Sequence, residues 1–413
     1  MRIIVWGINY LPEVTGIAPF NRGMCRFLAA SGHNVSMVTS FAYYPAWRKD
    51  AKDRRRLFRT DMVEGIPVHR CWHYVPARVT TLRRILHESS FGIVSFLRVL
   101  SLSRADVYII ISPPLILGPL ARLACWLKRS KYVFHVQDLQ PDAALGLGMV
   151  REDGVLARVL HRMAALTYKH ASLVTGISQS MIKAFAEKNV PHEKRYWFPN
   201  WVEIDRAGIQ AEEMGRWRAR YDIPQDAFVA SYSGNLGRKQ GLEVLVDTAA
   251  LLDASSRQGP RRIIIVIIGD GTMRPFLEAR LREHALSNIR LLPLLPEAEY
   301  HGMMAASDTC LITQAKGTEQ FFLPSKLLSM LAAGKPVVVA SDETSELAQA
   351  VRQGGFGLVV PPQEPRALAE ALTDIAVRPA ELVQLGLKGS RWVERFEADL
   401  ILGRFERRLR ELP

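Results

Sequence analysis

Short runs of aliphatic and β-branched residues alternate along the chain with stretches in which apolar residues recur every three or four positions. IIVWG from Ile3, VSMVTS from Val35, VYIIIS from Val107, KYVFHVQD from Lys131 and LVTGIS from Leu173 read as buried strands. Stretches such as Phe20 to Ser31 and Val155 to His170 carry helical spacing between them. The pattern then restarts with FVASYSGN at 228, RIIIVIIGDG at 262, IRLLPLL at 289, TCLIT at 309, KPVVVAS at 335 and GLVVPP at 357. Alternation of this kind builds parallel sheets through right-handed crossovers. The expected class is therefore α/β, with two Rossmann-like doubly wound domains over residues 1–200 and 201–389. The joint is expected near FPNWVEIDRA at 198–207, where Pro199 and Asn200 interrupt the pattern. A last helix over 390–413, with Trp392, Phe396, Leu400 and Phe405, is expected to complete the first domain.

Charge separates the two halves. The chain of 413 residues has 54 Lys plus Arg against 41 Asp plus Glu, a net +13. Residues 1–200 hold 28 of the cations and 13 of the acids, a net +15, and the remainder carries −2. One domain is thus expected to face an anionic partner. Nucleic acid is not that partner, because no recognition motif or basic recognition helix with a stacking pattern is present. An anionic membrane surface fits better. Over Leu82 to Arg104 a helical projection sets Arg83, Arg84, His87, Arg98 and Arg104 on one side, opposite Leu82, Ile85, Leu86, Ile93, Phe96, Leu97, Val99 and Leu100. Such a basic amphipathic helix suits the interface of an anionic bilayer, and equally a core helix with a solvated basic face. The run WRKDAKDRRRLFR from Trp47 adds cations on an expected loop.

Other classes are excluded. The apolar run in MRIIVWGINY is far shorter than a secretory h-region and reads as a strand. No run of about 20 apolar residues is available to span a bilayer. Cys25, Cys71, Cys125 and Cys310 are scattered, with no C-x-x-C pair and no zinc-ligand spacing. A reduced, cytoplasmic setting, a peripheral membrane association and no metal are expected.

Chemistry is sought at strand-to-helix turns, where helix N-termini and glycines receive anions. The loop INYLPEVTGIAPF after the first strand contains Glu13 and Gly16. In the second half, SGNLGRKQGLE sets Gly234, Gly237 and Gly241 around Arg238 and Lys239, a pattern that suits a diphosphate. Neither the P-loop nor the G-x-G-x-x-G spacing occurs at a strand end, which argues against a kinase or a dehydrogenase. His135 followed by Asp138 at the end of KYVFHVQD is a candidate site in the first half.

The GNLGRKQGLE turn, the GDG turn at 269–271 and the run LPSKLLSMLAAGKPVVVA resemble the nucleotide-sugar half of retaining GT-B glycosyltransferases of family 4. INYLPEVTGIAPF, FAYYPAW, HVQDLQPDAALGLGM and FPNW resemble the first half of members that assemble exopolysaccharide, so the likeness covers essentially the whole chain. The resemblance implies two domains facing a central cleft, a UDP- or GDP-type nucleotide sugar as co-substrate with no other cofactor, and a polyprenyl-diphosphate-linked glycan as acceptor. It implies His135 and Asp138 as catalytic candidates, and Arg238, Lys239 and Lys326 with Gly16 at the donor diphosphate. Gly234, Asn235, Gly269, Asp270, Gly271, Glu319, Pro324 and Ser325 are implied around the nucleotide and sugar, and Glu13 on the acceptor side. Two positions depart from the family pattern: Phe321 and Ser329 stand where many members carry glutamates, the second of which commonly holds the ribose. Asn235 and Gln240 likewise stand where the phosphate turn usually has Arg and Lys. A UDP-sugar 2-epimerase on the same scaffold and a catalytically silent scaffold are the alternatives.

Overall fold

Because their aliphatic runs are covered on both faces, the strands Val107–Ser112 and Ile263–Ile268 inside the two sheets are buried throughout. The computed structural model describes residues 1–412 apart from 45, 79, 141–153, 205–210, 256–260 and 318–323. Chain contacts divide into two compact units, one formed by Met1–Asn200 with Asp399–Pro413, the other by Trp201–Ala398. Among the described residues no helix is long and apolar enough to cross a membrane.

The first unit holds β1 (Arg2–Trp6), β2 (Asn34–Ser40), β3 (Phe58–Val63), β4 (Ile66–Cys71), β5 (Val107–Ser112), β6 (Lys131–Val136), β7 (Leu173–Gly176) and β8 (Arg195–Trp197). They lie in the order β3-β4-β2-β1-β5-β6-β7-β8, parallel except for β3 against β4. Helices α1 (Ala18–Ala30), α2 (Thr81–Ser101), α3 (Leu117–Lys128), α4 (Val155–His170) and α5 (Gln179–Glu187) make the crossovers. The β3–β4 hairpin occupies part of the stretch expected as a cationic loop. Its turn, Glu64 and Gly65, has positive φ at both residues (52° and 77°), the two-residue geometry that matches strand twist.

The second unit holds β9 (Phe228–Ser233), β10 (Ile263–Ile268), β11 (Ile289–Leu292), β12 (Thr309–Thr313), β13 (Val337–Ala340) and β14 (Gly357–Val360). All are parallel, in the order β11-β10-β9-β12-β13-β14. Its helices are α6 (Ala211–Arg220), α7 (Glu243–Ser255), α8 (Arg274–His284), α9 (Glu297–Ala306), α10 (Ser325–Ala332), α11 (Glu346–Gly354), α12 (Pro365–Ala376) and α13 (Pro379–Val393). Phe228, Tyr232, Leu245, Ile265, Leu311 and Leu372 belong to its main core.

Two expectations need correction. The terminal segment is not one helix over 390–413. α13 ends at Val393, a 3-10 turn spans Glu394–Phe396, the backbone becomes extended at Glu397 (φ −58°, ψ 138°), and α14 (Ala398–Arg410) begins anew. Its apolar residues serve different cores. Trp392 packs on Phe356 in the second unit, whereas Phe405 stacks on Phe198 in the first, with ring centroids 3.9 Å apart. Between them Val202 pairs with the extended strand, its N–H donating to Phe396 O and its carbonyl accepting from Ala398 N, each at 3.0 Å.

The second correction concerns α2. Its inward side is His87, Phe91, Gly92, Ser95 and Val99, while Leu82, Leu86, Ile93 and Leu97 face solvent. The expected basic face is partly consumed indoors. Arg98 lies over the Phe58 ring and donates to Thr60 Oγ1 at 2.8 Å, and Arg104 falls beyond the helix.

Candidate functional site

In the second unit the strand order changes direction between β9 and β12, and ligand crevices of open α/β sheets form at the carboxyl ends beside such a point. The turns after β9 and β10 are locked together there. A Cβ on Gly269 (φ 147°) would collide with Gly234 O, and one on Gly271 (φ 155°) would lie 2.5 Å from Leu236 O and 2.7 Å from Asn235 Oδ1. Only glycine satisfies both positions. Leu236 N donates to Asp270 O at 2.8 Å, and Asp270 turns its carboxylate onto the Gly271 N–H at 2.7 Å. The chain then makes a 3-10 turn, Arg238–Gln240, whose Lys239 carbonyl accepts from Ala315 N, just past β12, at 2.8 Å. Arg238 is exposed and Lys239 half-buried.

Lys326 completes the arrangement from the first turn of α10. Its Nζ stands 3.8 Å from the centre of the Tyr232 ring and 3.7 Å from where a Gly234 Cβ would be. Tyr232 is fixed by donating its hydroxyl to Asn235 O at 2.9 Å. Desolvation pulls the half-buried ammonium down to about 7, opposed by Cys310. Such a cation, over an aromatic face at a helix N-terminus, is built to gain a negative ligand. Pro324 occupies the N-cap and Ser325 opens the helix, exposed. One turn on, Ser329 Oγ donates to Lys326 O at 2.9 Å and lies 3.4 Å from Tyr300 OH. Thr313 Oγ1, buried at the end of β12, has no hydrogen-bond partner. Gly234, Asn235, Arg238, Lys239, Gly269, Asp270, Gly271, Pro324, Ser325 and Lys326 thus share one edge of this sheet. Glu319 lies outside the described residues.

The first unit treats its expected residues differently. His135, buried on β6, has both ring nitrogens engaged: Nε2 accepts from Gln137 at 2.9 Å, so Nδ1–H donates to Thr175 Oγ1 at 2.7 Å. Burial holds the ring neutral, with its pKa down to about 3. The side chain expected as a catalytic group is thus held within its own unit through both ring nitrogens. It orients Gln137, whose amide also donates to Asn200 Oδ1 at 3.0 Å. Glu13 is likewise turned inward. Its carboxylate accepts from the Tyr43 and Tyr44 N–H groups, each at 2.9 Å, and from Asn9 at 2.8 Å, so it anchors the loop after β2. Burial raises its pKa against those three hydrogen bonds. Gly16 (φ 66°) is exposed beside Tyr44, and Asp138 is half-exposed just past β6.

Residues 15–201 match the glycosyl transferase 4-like domain, and residues 227–377 match the glycosyl transferases group 1 domain. The chain is 33% identical over 386 residues to WcaI of Escherichia coli (strain K12), named for a glycosyl transferase of colanic acid biosynthesis; the match covers 92% of this chain and 93% of WcaI. The chain belongs to the GT-B glycosyltransferases of family 4. The fold agrees with solved structures: sucrose-phosphate synthase from Thermosynechococcus elongatus has a TM-score of 0.75 at 17% identity, covering 100% of this chain and 98% of that one. Anabaena HepE, solved with UDP and glucose, has a TM-score of 0.72 at 16% identity, with both chains covered fully.

Within this glycosyltransferase, Tyr232, Tyr300, Thr313 and Gln137 escaped the sequence reading. Each sits in an ordinary strand, helix or turn and gains its place only through partners distant in the chain. Ser329 was visible as a departure from the family pattern, but its contact with Tyr300 was not.

Proposed function

We propose that the enzyme moves a sugar from a UDP- or GDP-type nucleotide sugar to a hydroxyl of a polyprenyl-diphosphate-linked saccharide, with retention of anomeric configuration and without a metal ion. It would work at the inner face of the cytoplasmic membrane, in exopolysaccharide or surface-glycan assembly. Residues 201–389 take the donor and residues 1–200 the acceptor. The observation that carries the reading is Lys326, a partly desolvated ammonium against the glycine-locked turns of Gly234 and Gly269. The name of WcaI and the UDP and glucose in the HepE title support the same substrate class.

In the proposed reaction the acceptor oxygen attacks the anomeric carbon on the face from which the diphosphate departs. The bond from that carbon to the β-phosphate oxygen breaks, and that oxygen takes the acceptor proton. Lys326, Arg238 and Lys239 offset the charge gathering on the diphosphate, the task a divalent cation performs elsewhere.

A thermal-shift screen across nucleoside diphosphates and their sugars tests the donor half. One base class should raise the unfolding midpoint. No shift with any of them would remove the nucleotide-sugar reading.

A further inference from the structure

Past the carboxyl ends of β2 and β4 the first unit gathers a box of rings: Tyr43 and Trp47 from the loop after β2, His73 just past β4, and His87 from α2. Ring centroids lie 4.7 Å apart for Tyr43 and His87, 5.0 Å for His73 with either of them, and 5.3 Å for Trp47 and His87. Both histidines are buried, His73 0% and His87 2% exposed. His87 Nδ1 stands 2.6 Å from Tyr74 O, which can only accept, so the ring proton sits on Nδ1 and Nε2 presents a bare lone pair. Burial holds this ring neutral, with its pKa down to about 4, and Arg84 and Lys49 push the same way. Nε2 has no hydrogen-bond partner among the described residues. Neither ring nitrogen of His73 reaches hydrogen-bond geometry, although the Cys71 carbonyl acts on that ring. Buried polar atoms are rarely left so. Backbone strain marks the same place: Trp47 has φ 49°, a left-handed conformation that a bulky residue seldom adopts, and its indole is half-buried.

We infer that Tyr43, Trp47, His73 and His87 form a saccharide subsite, in which a sugar ring of the acceptor packs on the Trp47 indole and donates a hydroxyl hydrogen to His87 Nε2. The chemistry selects among ligands. A metal cation would meet Lys49, which donates to His73 O, and Arg84, one turn before His87 on α2. A phosphate oxygen would meet the His87 lone pair. A hydroxyl can donate to His87 Nε2 and can both donate to and accept from His73. The C–H face of a pyranose suits the negative face of an aromatic ring. The hydroxyl held here is distinct from the attacking one, whose proton goes to the diphosphate, so both histidines are specificity groups. The inference rests on the reading of residues 1–200 as the acceptor side and gives that side a ligand class and named contacts.

The test is nuclear magnetic resonance of the full chain with nitrogen-15-labelled histidine, in the presence of UDP and GDP so that a donor pocket does not account for sugar binding. The probes are the methyl glycosides of glucose, galactose, mannose, fucose, glucuronic acid and N-acetylglucosamine. At least one should shift the His87 Nε2 resonance saturably, as hydrogen bonding to its lone pair requires. In variants, saturation transfer to that glycoside reads the affinity. His87→Asn, whose amide keeps a donor for Tyr74 O but lacks Nε2, should weaken binding about tenfold or more. His87→Gln, which sets an amide oxygen near the Nε2 position, should restore part of it. Trp47→Gly, suited to the left-handed backbone, should weaken binding comparably and keeps the test decisive if His87→Asn fails to fold. An unmoved Nε2 resonance with every glycoside would overturn the inference. So would a glycoside whose affinity survives both His87→Asn and Trp47→Gly. Neither result touches nucleotide binding by residues 201–389, which the thermal-shift screen reads separately.

Discussion

The Lys326 ammonium lies 3.8 Å from the centre of the Tyr232 ring, joining the first turn of α10 to the end of β9. Two segments nearly a hundred residues apart in the chain thereby meet at the point where strand order reverses. Both chemical and pH-dependent consequences follow from that pairing.

Lys326→Ala should lower kcat by roughly a hundredfold, about 3 kcal/mol of lost transition-state stabilisation, with the thermal midpoint nearly unchanged. Steady-state kinetics with matched circular dichroism checks this. Retained kcat would remove Lys326 from the diphosphate site.

Diphosphate binding should be proton-linked. With its pKa near 7 in the unliganded protein, Lys326 is largely neutral at pH 8.5, and an arriving diphosphate favours the charged form. Binding then takes up a proton and weakens as pH rises from 7 to 8.5. Calorimetry in two buffers of different ionisation enthalpy measures the uptake, which Lys326→Ala should abolish. Equal affinity at both pH values, with no proton uptake, would contradict it.

His135 should leave no mark on the pH–rate profile near 6.5, since burial holds it neutral down to about pH 3. Its effect belongs to stability. The unfolded chain binds the proton that the folded ring refuses, so this residue's contribution declines as pH falls from about 6.5 towards 3. His135→Ala should cost ~2–4 kcal/mol through the lost Thr175 and Gln137 hydrogen bonds and the packing on Phe198. Denaturant unfolding at two pH values reads both effects.

Gly269→Ala should damage the donor turn far more than Gly32→Ala damages the turn after α1. Both have positive φ, but a Cβ at Gly269 meets Gly234 O whereas one at Gly32 meets nothing within 4 Å. The expected costs are several kcal/mol with loss of nucleotide binding for the first, against ~1 kcal/mol for the second. Similar midpoints for the two variants would show that the Gly234–Gly269 contact is not what locks the site.

Much of the fold was legible because continuous aliphatic runs such as IIIVII can only be buried strands, and their alternation with helices dictates parallel sheets. The β3–β4 hairpin was hidden because polar residues interrupt both FRTDMV and IPVHRC, so neither is a continuous aliphatic run, although the Glu64–Gly65 pair was a turn signal. The break at Glu397 was hidden because Trp392, Phe396, Leu400 and Phe405 keep helical spacing across it, although Trp392 and Phe405 pack in different units and Leu400 is exposed. In the site, glycines and cations announced the donor turns locally. The inward fates of His135 and Glu13 depended on Thr175, Gln137, Tyr43 and Tyr44, contacts that no local pattern reveals.

The most direct measurement of the central claim is the product formed from a labelled nucleotide sugar and a synthetic polyprenyl-diphosphate saccharide, analysed by NMR at the anomeric centre. The account predicts label in the lipid-linked product, with the donor's anomeric configuration, for wild type and a roughly hundredfold slower reaction for Lys326→Ala. An inverted linkage, or a nucleotide sugar epimerised at C2 with no label on the lipid, would contradict it.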